Sequence, residues 1–439
     1  MKFGKRIASV VLAATMLLAP TQLFAAEAVD MPAPWALKEV YLSEAYGLLP
    51  YEVESGFQAT VSYSDFSLIY SAFCAELGVT DVLPQPTNGV VTRGYVLQAL
   101  YIAISDSQWL PDDASDSALA FFVEKGLIAG RASGDYALDA PCTTQEALMF
   151  AKRAFEHIVY SVTGGSKGFL WRVSDEDNTL YLLGSIHITN RGTYPLSRAI
   201  MNAYEDAEHI AVEYDIVNAD QDELSDEMDQ YFTYTDGTLL SDVLDAETYA
   251  DFAGRMAEYG IGQDVYANWR PIYADQVLSQ LMLGFSFTTG IDEFMIINAM
   301  IDGKPIHSIE QVSDQLGGFR DMPLEAQIES LQYTLSIDPE LPAASLDFLV
   351  SIWREGDDAM LMWYTGLDEE NDAYDEALMG DRNAQMIEVA KSMLEGTATD
   401  RGIAATDDVL FITGAAHMLG NDGIVAGLQE LGYTVERLR

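Results

Sequence analysis

Two stretches decide how this chain is read: LYLLGSIHITNRG at 180–192 and LFITGAAHMLGNDG at 410–423. Each is an apolar run that ends in Gly-x-x-His and passes into a polar, glycine-containing loop. The chain has five histidines, so two of them in one local pattern point to a shared role for His187 and His417. The same order of elements surrounds both: strand, Gly-x-x-His, loop, helix, strand, over 180–216 and over 408–438. Such a βαβ unit implies parallel strands, with the loop at the carboxyl end of the first. Ligands of open α/β sheets gather at that edge, so both histidines are expected on one rim. Glycine there permits a turn or a close backbone approach that a side chain would block. A histidine at a strand end can also do no more than hydrogen-bond a neighbouring strand. The repeated context argues against that here; the spacing alone has none of the force of His-Glu-x-x-His.

Working outward, FLWRVSDEDNTLYLLGSIHI reads as a hairpin turning at DEDN, 175–178. PLSRAIMNAYEDA is a helix and EHIAVEYDI a strand. A long helical stretch is expected over about 220–300, with Arg270-Pro271 opening one helix. KPIHSIE is another strand, and further helices run to about 397. DDVLFITGAAH, GIVAGLQELG and YTVERL close the chain. The fold class is α/β: a C-terminal domain over 168–439 with βαβ units and a large helical insertion. A mainly helical repeat domain over 35–160 precedes it, with the break at VTGGSKG, 162–168.

Two imidazoles seldom hold a divalent ion without a carboxylate. AVEYDI supplies Glu213, on the strand face opposite Ile210, Val212 and Tyr214; an acid in so apolar a strand is either edge-exposed or working. PIHSIEQ supplies Glu310 in a similar place. His307, three residues earlier, lies on the opposite face and reads as structural, and His157 and His209 carry no constellation. Arg382 and Asn383 open an amphipathic helix in GDRNAQMIEVAK, 380–391. Its plain reading is a surface helix capped near Asp381; its functional one gives Arg382 an oxyanion or a substrate carboxylate to hold.

The N-terminus has a basic region (Lys2, Lys5, Arg6), an apolar run from Ile7 to Leu18 and then small residues, which reads as a secretory signal over 1–26. The expected location is therefore secreted or cell-surface, with no membrane span in the mature chain. A net charge of −46 repels nucleic acid and anionic membranes and suits a cationic partner. The acidic runs 220–229 and 368–376 read as solvated faces, since neither has EF-hand spacing. Cys74 and Cys142 leave one disulfide open. Segments 45–73 and 124–155 share one plan, with helix starts capped at Ser62 and Thr143, and 89–104 is an incomplete third copy. This repeat resembles the S-layer homology module, which implies attachment to cell-wall polymer, and Thr92-Arg93 matches that family's anchoring pair.

The pieces of 168–439, taken in order, resemble the TraB/PrgY/GumN family, which includes the Tiki-type metal-dependent peptidases. The likeness rests on LYLLGSIHI, the acid in AVEYD, the RPI helix start, GIDEFMIINAMIDGKPIHSIEQVSDQ, DRNAQM and ITGAAHMLGNDGIVAGLQELGYTV. It implies one site made of His187, Glu213, Glu310, Arg382, Asn383 and His417. It also implies metal-assisted hydrolysis of a peptide or protein, with His187, His417 and Glu213 or Glu310 holding zinc, manganese or cobalt. The remaining glutamate would handle the proton, and Arg382 the oxyanion. Two other readings stand beside it: a metal-independent His/Glu hydrolase, and a surface protein that binds a peptide without cleaving it.

Overall fold

The computed structural model describes residues 31–439, apart from 81, 87, 110–116, 131–133, 176, 284–287, 340, 368–378, 380 and 381. The signal segment, the acidic run 368–376 and the Asp381 cap lie outside the described residues. The chain forms two compact units, one running to Ser166 and taking in Arg191–Arg198, the other comprising Lys167–Asn190 and Ala199–Arg439. Among the described residues no helix is long and apolar enough to cross a membrane.

The first unit is mainly helical, and three of its helices start in the same way. Ser62, Thr92 and Thr143 each accept the backbone N–H three residues on, which supplies a partner to one orphan donor of each first turn. Thr143 adds the reciprocal bond from its own N–H to Glu146, a full capping box. The extended residues leading into these helices pair with one another, Thr60 with Thr143 and Thr92 with Pro141. Arg93 turns inward: it is 4 % exposed, ion-paired with Glu146 and stacked 4.9 Å over Phe150. Cys74 and Cys142 are both buried free thiols, so the disulfide left open by the sequence is absent.

The second unit is built on strands β1 (Phe169–Ser174), β2 (Thr179–Ser185), β4 (His209–Val212), β6 (Ile306–Ser308), β7 (Val409–Gly414) and β8 (Thr434–Leu438). They form one sheet in the order β6-β4-β7-β2-β1-β8. β6, β4, β7 and β2 are parallel to one another, while β1 runs antiparallel to both β2 and β8. Central β7 is buried along its whole length, as is β2 beyond its first residue, and this explains why both read as unbroken apolar runs rather than alternating ones. Leu182, Leu183, Ile210, Phe411 and Ile412 have no exposure at all.

Helices fill the connections. The expected single helical stretch over 220–300 is interrupted: β5 (Thr288–Thr289) pairs antiparallel with β3 (Ile188–Thr189), just beyond the first Gly-x-x-His. A glycine explains the break, because a Cβ on Gly290 would stand 2.1 Å from the His187 carbonyl oxygen. The two backbones touch there, so helix Ile291–Asp302 has to begin anew. More helices lie between β6 and β7, so the insertion comes in two parts. Helices of both parts share cores, one around Phe252, Tyr266, Leu278 and Leu331 and another around Phe232, Ile272 and Phe319.

Candidate functional site

The two Gly-x-x-His strands are direct neighbours. β2 and β7 pair in parallel with Gly184 opposite Thr413 and Ser185 opposite Gly414, so both motifs leave the sheet at one carboxyl edge. The two glycines do different work, and neither has a positive φ. A Cβ on Gly184 would lie 2.9 Å from Ala415 Cα and 3.0 Å from Phe169 Cβ, so this glycine lets the two motifs pack together. A Cβ on Gly414 would instead point at the chemistry: 3.4 Å from Glu213 Oε1, 3.5 Å from His417 Cδ2 and 3.8 Å from His187 Nε2. Three candidate side chains thus converge above one bare backbone position.

Each imidazole is held from behind. His417 Nδ1 is 2.6 Å from Asn383 Oδ1, and Asn383 is itself oriented by donating to the Asp422 carbonyl at 3.0 Å. An amide oxygen only accepts, so Nδ1 carries the proton and the Nε2 lone pair faces Glu213, whose Oε1 is 3.9 Å away. His187 Nδ1 donates to Asp292 Oδ2 at 3.0 Å. Asp292 sits in the first turn of the helix that Gly290 allows against this loop, and that contact is sealed by Ile291 N–H to the Ile186 carbonyl at 3.0 Å. Asp292 is the site residue that sequence reasoning missed. Its only signal was an acid two residues after a glycine.

The acids come from adjacent strand ends. Glu213 follows β4, an interior strand, so its 5 % exposure is burial in the sheet and not an edge position. Glu310 follows β6, and its N–H bonds the Glu213 carbonyl at 3.1 Å. Arg382, at the start of helix Arg382–Leu394, joins them: Nε is 3.0 Å from Glu310 Oε2, and Nη2 is 2.5 Å from Glu310 Oε1 and 3.1 Å from Glu213 Oε2. Glu213 Oε1 also accepts from the Gly414 N–H, and Gln315 reaches Oε2 at 3.4 Å. All six residues expected from the sequence therefore stand at one place. A cleft opens beside them, lined by Ser185, Val212, Tyr214, Ile216 and Ile412.

Charge is distributed unevenly. Burial works against ionised Glu213, but nearby positive charge and the Gly414 N–H hold its carboxyl well below the usual range. Burial and Arg382 push His417 down to about 3, so it is neutral, and the positive charge that favours the Glu213 carboxylate comes from Arg382 and His187. Burial also disfavours a His187 cation, yet the Asp292 carboxylate outweighs it, with Glu213 behind, and pushes this imidazole up to about 9. Burial raises Glu310, and the charge on Glu213 adds to that despite the Arg382 contact.

The donors suit a divalent cation in kind: two imidazoles with Nδ1 committed to oxygen and Nε2 toward the site, and a carboxylate between them. The spacing is another matter. Among the described residues no group of three or more His, Cys, Asp or Glu side chains is drawn together as metal ligands, and Arg382 supplies the charge that compensates the two acids.

The remaining histidines correct one expectation. His157 packs edge-on to Phe121 at 5.7 Å, a core contact. His209, read as carrying no constellation, has one, and its partner is His307, read as structural: His209 Nδ1 lies 3.0 Å from His307 Nε2, and His209 Nε2 3.1 Å from Asp407 Oδ2. They are 98 residues apart and meet because β4 and β6 pair, which no local pattern discloses.

No curated relative and no solved structure matches the chain. Residues 169–437 match the TraB/PrgY/gumN family, which covers the whole sheet but for the last residue of β8 and every site residue described above. On that match, which takes in more than half of its length, the chain belongs to the TraB/PrgY/gumN family.

Proposed function

We propose that the second unit is a metal-dependent hydrolase acting on peptides, and that its site is His187, His417, Glu213, Glu310, Arg382 and Asn383, with Asp292 added. The observation that carries this reading is the meeting of both Nε2 edges and the Glu213 carboxylate above the bare backbone of Gly414. His187, His417 and Glu213 would hold the ion, whether zinc, manganese or cobalt. Bound there, it supplies Lewis acidity toward a carbonyl oxygen and toward water.

The protein's own groups do the rest. Asp292 and Asn383 fix the two rings in the tautomer that presents Nε2. Glu310, raised by burial, is the acid able to take up a proton and return it to a leaving amine. Arg382 keeps the two carboxylates apart in role: its fork holds Glu310 and its Nη2 keeps Glu213 ionised. The Asp292–His187 pair also suggests a metal-independent general base. A ring held up to about 9 is cationic at neutral pH and has no lone pair for that task; a divalent ion would have to displace the same proton, so metal uptake and its proton release separate the two readings.

The acidic surface suits a cationic peptide. Export and retention at the cell wall belong to the same proposal, with the first unit as the anchor. Arg93, the residue matching the anchoring pair, spends its side chain on Glu146, so any wall contact falls to other residues of that unit.

The test incubates the full chain with a set of basic and acidic peptides and reads their masses, with and without a chelator and after adding back each metal. Cleavage that stops with the chelator, and in both His187→Ala and His417→Ala, is expected. Cleavage persisting in either variant overturns the site. Tight binding with unchanged peptide mass would select the sequestering protein instead.

A further inference from the structure

The second histidine cluster lies away from the candidate site, yet on the strands that carry its acids. Ala211 pairs with His307 across β4 and β6, and Glu213 and Glu310 lie just beyond the ends of the same two strands. β6 is an edge strand of three residues, with a neighbour in the sheet on one side only, so the backbone leading to Glu310 depends on its pairing with β4. The chain of contacts fixes the protons. Asp407 accepts from His209 Nε2–H, leaving His209 Nδ1 as a lone pair that accepts from His307 Nε2–H. A first added proton goes to the outer nitrogen of His307 and keeps this bond. A second would place N–H against N–H across 3.0 Å, and the bond must break.

We propose that the Asp407–His209–His307 chain is an acid-released latch, closed at neutral pH and open in acid, that ties edge strand β6 to β4 and so holds Glu310 against Glu213. The charged groups around it set its response. Asp407 faces His209, while Arg401, which donates to the Ser308 and Ile309 carbonyls, opposes a cation on His307. Glu208 and Asp408 are tied at the base of β4, where the Glu208 carboxylate accepts the Asp408 N–H at 2.8 Å and Asp408 accepts from Thr179 N–H at 2.6 Å. Lys304 is held by the Tyr204 carbonyl at 2.7 Å, and Asp206 by the Tyr181 hydroxyl. Burial, His209 and Arg401 all lower His307 below its ordinary value. The fold therefore favours the neutral His307: that stability is fully present above about 6.5 and is lost as pH falls through the lower folded value of His307, and the bond itself opens when the second proton arrives.

The latch itself does not depend on the hydrolase reading; only its effect on turnover does. The experiment is amide exchange of the full chain at about pH 7 and about pH 5, where histidine titrates, corrected for intrinsic exchange. Wild type is compared with His307→Gln, whose amide does not titrate and can donate to neutral His209 or turn its oxygen to accept from the protonated ring. In wild type the protection of the Ile309 and Glu310 amides should fall about tenfold or more across this range, about 1.4 kcal/mol in the opening equilibrium, with β1–β2 unchanged. In His307→Gln it should stay constant. Equal profiles in the two proteins, or a loss spread over the whole sheet, would overturn the latch. Should the variant not fold, the C2-proton titrations of wild type decide: two coupled steps are expected for His209 and His307, and two independent ordinary titrations refute the proposal. If the latch holds and no peptide is cleaved at either pH, it is the hydrolase reading that fails.

Discussion

Arg382→Met tests whether the site is held by charge or only by shape. Arg382 is 6 % exposed, and its guanidinium makes three hydrogen bonds to two carboxylates that are themselves 5 % exposed. Methionine has similar reach and no charge, so packing survives while Glu213 and Glu310 lose their shared cation. Removing one partner of a buried ion pair costs about 3–5 kcal/mol, because the charge left behind has no solvent. For a unit of this size each kcal/mol moves the melting temperature by roughly 2–4 °C, so scanning calorimetry should find its transition about 6–20 °C lower. Adding Glu310→Gln removes the stranded charge and should restore about 1–3 kcal/mol, the range of coupling between contacting residues. The pH dependence has a definite sign. Glu310 is raised in the fold, so its protonated form stabilises as pH falls through the folded pKa, and its charged form costs stability above it. Without Arg382 the pKa rises further, and the deficit of Arg382→Met should shrink steadily from neutral pH toward pH about 5. A loss under about 1 kcal/mol at neutral pH, or a Glu310→Gln cost that simply adds to it, would show that the three groups are not an electrostatic unit.

The other expectations are narrower. In metal-free protein, Asp292→Asn should drop the His187 titration well below about 9, read from the ring C2 proton, since only Glu213 then opposes burial and Arg382; an unmoved titration breaks the assigned pairing. Metal uptake at neutral pH should release close to one proton, because the His187 cation must first give up its Nε2 proton, and the release should vanish above pH about 9. Calorimetry in buffers of different ionisation heat measures it, and heats independent of buffer at pH 7 would contradict it. Gly184→Ala should destabilise the second unit by about 1–3 kcal/mol through overpacking against Ala415 and Phe169. Gly414→Ala, whose new methyl meets nothing closer than 3.4 Å, should leave the melting temperature nearly unchanged while impairing metal uptake; the reverse pattern would disprove the division of labour between the two glycines.

Much of this site was legible in the sequence because its residues sit at strand ends, where pattern and chemistry coincide. An acid closing the apolar run of β4 had to be exposed or employed, and the interior place of that strand rules out exposure. Asp292 was not legible, because its role comes from Gly290 touching the His187 backbone 105 residues from the ring it orients. The partner of His209 was hidden for the same reason: periodicity gives His307 a strand face, but only the register of β4 on β6 brings the two rings together.

Strand order explains why the pattern could point to one rim without showing how it is made. Each βαβ unit is locally readable as a pair of parallel strands, and neither pair is adjacent in the sheet. β7 lies between β2 and β4, the two strands of the first unit, while β2 and β1 lie between β7 and β8, the strands of the second. The units interleave, and this alone sets Ser185 opposite Gly414 and brings the rings together over one glycine. Had the two units merely stood side by side, the first strand of each would be separated by a partner strand, and at strand spacings of about 4.8 Å the histidines would be roughly twice as far apart. The repeated motif therefore places two imidazoles at a strand end, and the interleaving of the strands makes them one site.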